Sequence, residues 1–338
     1  MTASASTQTE YNHGPSLAGK GGLILAVVAL FLITVITPEG FTPPKAYAPG
    51  GFCFSGTDLQ LLPGRLMVWL NLGLITLLAL YQILFTRRFN FIPSQNLSYA
   101  SVFIFCTACL PWAVYRLSTG VAIVLLILLS SNILFAVYGR RNASESIFVL
   151  FTFLSWGSMI DFAALYLVPV FFVSAIICKA MRFREFVAML LGLAAPYWIV
   201  LATGAVSLQS LRVPEISTFM QSNIEAGSLG ANWFYLELLI GAVFFLFLLL
   251  LNSLRRAATS ARSRAMFAVL NLVGCCLIVL MFIDIRNVQA YCLGFLMMLG
   301  YQVGYWTASI AAPKRNIFIG FLFLVSIALF TVCQLLPA

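Results

Sequence analysis

Residues 147–178 read IFVLFTFLSWGSMIDFAALYLVPVFFVSAIIC, a run of 32 residues whose one charge is Asp161. As a single helix rising 1.5 Å per residue the run would measure about 48 Å, against a bilayer hydrocarbon core of roughly 30 Å. It therefore divides into two short helices around Met159–Phe162, with Asp161 at the turn. Backbone polar groups in hydrocarbon must be satisfied within the chain, and the alternating ten-residue strands of a closed barrel are absent, so helices are expected throughout.

The rest of the sequence follows the same pattern. Of 338 residues 62% are hydrophobic and 9% charged, with mean hydropathy +1.01. A soluble domain carries roughly 45–50% apolar and about 25% charged residues. That excess excludes a cytosolic enzyme, a secreted disulfide scaffold and a soluble nucleic-acid binder. Further apolar segments lie at Gly21–Thr37, Leu66–Phe85, Leu97–Tyr115, Val121–Tyr138, Phe186–Ala205, Trp233–Leu251, Ala265–Ile283, Val288–Ala312 and Ile317–Leu336. The expected fold is all-α, a polytopic transmembrane helical bundle of ten to eleven membrane segments. Residues 1–20 form a polar tail, and 21–338 a single transmembrane domain. A long proline-rich loop spans 38–65. Ala46-Tyr47-Ala48 has the form of a cleavage site, but Pro49 follows it and the apolar stretch ends well before it, so the first span is expected to be retained.

Charge sets the expected topology. With the N-terminus inside, Lys20, Arg87, Arg88, Arg140, Arg141, Lys179, Arg182, Arg184, Arg255, Arg256, Arg262, Arg264, Lys314 and Arg315 all fall on the inner side. Only Lys45, Arg65, Arg116, Arg212 and Arg286 fall outside. This positive-inside bias agrees at every inner loop and puts the C-terminus outside. The net charge of +9 then reflects topology, and no nucleic-acid partner is expected.

Acidic residues show the opposite bias. Glu39, Asp58, Asp161, Glu215, Glu225 and Asp284 lie on the outer side, and Glu237 one turn below it. Ionisable groups near membrane depth are costly and are functional candidates by default. Asp161 interrupts its apolar run, Arg116 sits in a very short loop, and Asp284 and Arg286 join two spans. An acid, Asp161 or Asp58, is suited to act as base on a hydroxyl. Arg116 and Arg286 are suited to hold a lipid phosphate. Trp112, Trp156 and Trp233 fall near outer span ends, where aromatic faces suit sugar rings and lipid tails, and where an interfacial aromatic belt also puts them. Glu237 shares a helix face with Trp233. Each charge has a structural alternative: Asp161 as a helix cap, Asp284 with Arg286 as a loop pair, and Arg116 snorkelling to the surface.

The eight cysteines lie mostly in apolar stretches, including the pair in Cys106-Thr-Ala-Cys109, and read as small packed hydrophobes. The one histidine, His13, is in the polar tail. There is no GxxxxGK[ST] loop, no GxGxxG and no clear internal repeat. No metal and no cofactor is expected.

SNILFAVYGRRNASESIFVLFTFLSWGSMIDFAALYLVPVFF (131–172) and FREFVAMLLGLAAPY (183–197) resemble a polytopic inner-membrane family of Bacteroidota, a domain of unknown function. The resemblance is carried by Arg140, Arg141, Asp161, Leu165, Tyr166, Arg182, Arg184, Glu185, Gly192, Leu193 and Pro196. The layout is also similar to that of membrane glycosyltransferases that use polyprenyl-phosphate sugars. Those enzymes carry an acid in the first outer loop, where Glu39 and Asp58 are available. This likeness implies membrane lipids and a polyprenyl-phosphate-linked sugar as partners. Three readings stand at this stage. The first is an envelope glycan or lipid-linked-sugar enzyme working at the outer face. The second is a non-catalytic subunit of an envelope complex. The third is a transporter, for which Glu237 is the best support.

Overall fold

The computed structural model describes residues 16–36, 51–52, 64–92, 96–110, 113–114, 118–140, 142–204, 229–254, 260–284 and 287–335. Among them the chain forms eleven α-helices and one 3₁₀ helix, and no strand. In chain order these are α1 (Lys20–Ile36), α2 (Gly64–Phe89), α3 (Ser98–Ala108), α4 (Gly120–Ala136) and α5 (Ser144–Ile160). The 3₁₀ helix Phe162–Leu167 leads into α6 (Val168–Ile177). Then follow α7 (Phe183–Ala202), α8 (Leu229–Leu254), α9 (Ala261–Ile283), α10 (Val288–Ala308) and α11 (Ala312–Leu335). Three stretches, Leu66–Phe89, Phe183–Ala202 and Ala261–Ile283, are long and apolar enough to cross a membrane.

The run 147–178 breaks at Asp161, as its length requires. Several expected segments differ from the helices found, and proline accounts for two of the differences. Helix α3 stops at Ala108, short of the expected Tyr115, because the residue before Pro111 is biased away from helical backbone. The segment expected to run to Ala312 ends at Ala308, and α11 begins at Ala312 with Pro313 in its first turn, where a missing N–H costs nothing. Helix α2 runs on to Phe89 and so carries Arg87 and Arg88 in its last turn, where cations suit the helix dipole.

Helix α10 is the centre of the bundle. It packs against α3, α4, α8 and α9, and nearly every residue from Val288 to Gly304 is buried. Lipid tails are as apolar as leucine, so helices in a bilayer associate through close packing and polar contacts rather than through the hydrophobic effect. Both are present here. A Cβ on Gly300 would stand 2.5 Å from the carbonyl oxygen of Tyr99, so α10 and α3 touch backbone to backbone. One turn on, Asn96 Nδ2 donates to Gly304 O at 2.8 Å and to Thr307 Oγ1 at 3.0 Å. Across α8 and α9, Asn252 Nδ2 donates to Gln302 Oε1 at 2.8 Å, and Gln302 Nε2 donates to Asn271 Oδ1.

A second tight pair is α5 with α7. Thr152 Oγ1 donates to Phe148 O and reaches Gly192 O, and Ser155 Oγ donates to Leu193 O at 2.8 Å.

Among the described residues, contacts between helix ends place several basic side chains together at one end of the bundle. Arg88 donates to Asn132, Arg262 to Phe135 O, and Arg315 to Ser16 Oγ. The Gly139 N–H donates to Cys178 O, which brings the end of α6 back beside the end of α4. The start of α5 is tied to α7 at this same end, where Ala143 N donates to the buried Glu185 carboxylate. Asp161 and Asp284 stand at the opposite end. Helix α5 and the pair formed by the 3₁₀ helix and α6 thus make a hairpin that turns at Asp161.

Gly300→Ala is expected to cost about 1–3 kcal/mol, because its new methyl meets main chain that cannot rotate away. In Gly294→Ala the methyl would meet the side-chain methyls of Ile127 and Leu277 at 3.2 and 3.3 Å, and a smaller loss is expected. Thermal unfolding of the two purified variants in one detergent checks this; equal melting temperatures would remove the backbone-contact account.

Candidate functional site

The site is assembled from two helix ends. Helix α5 stops at Ile160, and Asp161 adopts extended backbone (φ −147°, ψ 129°). Its Oδ1 accepts the Ala163 N–H at 2.8 Å, which caps the 3₁₀ helix and satisfies a donor that the turn would otherwise orphan. Pro169 stands in the first turn of α6. The turn is held tightly against α5: a Cβ on Gly157 would meet the Ala164 methyl at 2.9 Å.

The second helix end is that of α9. Asp284 follows Ile283, and its Oδ2 accepts from Asn287 Nδ2 at 2.8 Å and from the Tyr291 hydroxyl at 3.0 Å. Tyr291 lies one turn into α10 and is fully buried. The connection between α9 and α10 is therefore closed by its own side chains.

These two ends meet. Asp161 and Asp284 are each 2% exposed. The Asp284 charge acts on Asp161, Tyr166 and Tyr291, so the four groups share one neighbourhood. Burial pushes the Asp161 carboxyl above the ordinary carboxylate range. Hydrogen bonding from Thr119 and from the Ala163 N–H opposes the rise, and the Asp284 charge adds to it. Among the described residues no basic side chain pairs with either carboxylate, and Asp284 Oδ1 makes no hydrogen bond. A carboxyl held high in this way is a stronger base once ionised.

Residues Gly51 and Phe52 pack on the turn. The Phe52 N–H donates to Ser158 O at 3.3 Å. Its ring stands edge-on to Phe162 at 4.7 Å and to Tyr197 at 5.2 Å, and Ser158 and Tyr197 share a hydrogen bond through their hydroxyls. Part of the long 38–65 connection thus lies against the Asp161 end.

Of the residues singled out in the sequence, the structure brings Asp161 and Asp284 together. Trp156 does not join them: like Trp69 and Trp198 it is exposed on the outer surface of the bundle. Trp233 and Glu237 fall on α8, with side chains outside the described residues, as are Asp58, Trp112, Arg116 and Arg286 altogether. Arg116 stands three positions before Thr119, and Arg286 two after Asp284.

Sequence reasoning missed Thr119, Tyr166 and Tyr291 as site residues, along with Phe52 and Tyr197. Only Tyr291 left a readable signal, a hydroxyl seven residues after Asp284 and so within reach across one tight connection. Among the described residues no three His, Cys, Asp or Glu side chains converge in a way that could hold a metal ion.

Comparison with known proteins gives no match to a protein family, to a curated protein or to a solved structure.

The cap can be separated from the charge. Asp161→Asn keeps an oxygen acceptor for the Ala163 N–H and is expected to unfold near the wild-type temperature. Asp161→Ala loses the acceptor and is expected to be less stable by about 0.5–2 kcal/mol. Thermal unfolding of both variants in one detergent measures the difference, and an alanine variant as stable as the asparagine one would mean that the cap carries no weight.

Proposed function

We propose that this chain is a polytopic protein of a bacterial inner membrane that acts at the outer face on lipid-linked sugars of cell-envelope glycan metabolism. In this reading the basic end of the bundle faces the cytoplasm and the Asp161 end faces outward. The observation that carries it is the burial of Asp161 and Asp284, with no basic partner among the described residues, at the end of the bundle away from the described basic side chains. Asp161 then serves as base toward an acceptor hydroxyl, and Tyr291 and Thr119 orient the carboxylates. Arg116 and Arg286, neighbours in sequence of Thr119 and Asp284, supply the charges for a lipid phosphate. The likeness of layout to polyprenyl-phosphate-sugar-dependent glycosyltransferases supports the same reading.

A second reading has its own observation. Asp161 already has structural work as the cap of the 3₁₀ helix. A protein that only holds an envelope complex together needs no more of it than that.

Mass spectrometry of lipid-linked glycans in a deletion strain decides between the two. The strain carries wild type or Asp161→Asn at matched abundance. On the enzymatic reading wild type restores a missing species, Asp161→Asn does not, and the precursor that accumulates identifies the step. Identical profiles in all strains would end the enzymatic reading and leave the assembly role.

A further inference from the structure

Beside α10, a cavity of about 200 Å³ opens between α3, α8, α10 and α11. Cys292, Phe295, Leu296 and Leu299, at three- and four-residue spacing, present one face of α10 as its floor. All four are buried. At the mouth stand Ile240 and Phe321, 43% and 64% exposed, on a bundle surface that continues with the exposed Val243 and Leu324. The cavity therefore opens sideways, onto the apolar belt of the bundle rather than at one of its ends.

The walls carry almost nothing polar. Ser326 Oγ donates to Leu322 O at 3.0 Å within its own helix and stands 3.7 Å from Cys106 Sγ. A headgroup finds no partner there, and apolar cavities of this kind stay dry. Left unfilled, the lining atoms would forgo their dispersion contacts. A protein helix, about 10–12 Å across, is too wide to enter. A cavity of about 150 Å³ holds a single benzene ring, so this one takes a short length of one hydrocarbon chain.

The direction of entry also follows from the lining. The rings of Phe244 and Phe318, 6.3 Å apart, close the end of the cavity nearer the basic side. Leu110 and Leu238 line the other end, toward the Asp161 side. A lipid whose tail lies here has its headgroup at the Asp161 end of the bundle.

We infer that this cavity is a lipid-tail site that holds the end of one acyl chain of a phospholipid from the leaflet on the Asp161 side. A short pocket closed by two rings suits the unbranched end of an acyl chain better than a long, methyl-branched isoprenoid, and phospholipid is the solvent at its mouth. The site is independent of the reaction proposed above: its lining contains none of the carboxylates.

Photolabelling tests it. The full-length protein is placed in nanodiscs of phosphatidylethanolamine and phosphatidylglycerol containing a small share of a phospholipid with a diazirine at the end of its acyl chain. After irradiation the adducts are mapped by peptide mass spectrometry. Adducts are expected on the buried residues Cys109, Cys292, Phe295 and Leu299, which bulk lipid does not reach. They are expected to be lost in Ser326→Phe, whose ring fills the cavity, and to persist when polyprenyl phosphate is added. Adducts confined to exposed positions such as Val243 and Leu324 would overturn the site. Clearance of the floor adducts by polyprenyl phosphate would overturn the acyl assignment in favour of an isoprenoid tail. If Ser326→Phe does not fold, the competition on wild type alone carries the decision.

Discussion

The architecture depends on the contact between the main chains of α3 and α10. A helix surrounded on all sides by other apolar helices has little to gain from apolar burial when the surroundings are lipid. It must gain instead from proximity, and proximity is limited by the size of what stands between two backbones. Gly300 removes that limit at Tyr99, and the side chain of Asn96 then bridges to the carbonyl of Gly304. The aromatic rings of Tyr99 and Tyr301 stack beside the same contact, with centroids 5.8 Å apart. Once α10 is seated against α3, its remaining faces set where α4, α8 and α9 can lie. Those helices in turn bring Thr119 and Asp284 to the Asp161 turn.

Parts of this were legible in the sequence because they are matters of length. A run of 32 apolar residues does not fit a bilayer as one helix, and its one charge marks where it turns. What stayed hidden was three-dimensional. Hydropathy alone extends the segment Leu97–Tyr115 through Pro111, because that proline stands between Leu110 and Trp112. Tyr291 and Thr119 carry no charge and lie within or beside apolar helices, so nothing in their local sequence distinguishes them from packing residues. Their place in the site comes from the fold alone.

Asp161 joins the two levels. As a local feature it is a cap, an acceptor presented to the first free N–H of a 3₁₀ helix. As a tertiary feature it is a buried carboxyl, held above its ordinary range by desolvation. The cap uses one oxygen, Oδ1, so the other is available for chemistry without unwinding the turn. Helix termination and acid–base chemistry are often supplied by different residues, and here a single carboxylate is placed to serve both.

The docking of Gly51 and Phe52 on the Asp161 turn has a consequence for the connection between α1 and α2. Closing a flexible loop costs entropy that grows only slowly with its length, so one anchoring point in the middle is inexpensive once the ends are fixed. That point converts a long tether into two shorter arms, each closed on its own. A change of length in one arm then need not be felt in the other. The Phe52 ring, edge-on to Phe162 and Tyr197, fixes this point of the connection to the turn that carries Asp161.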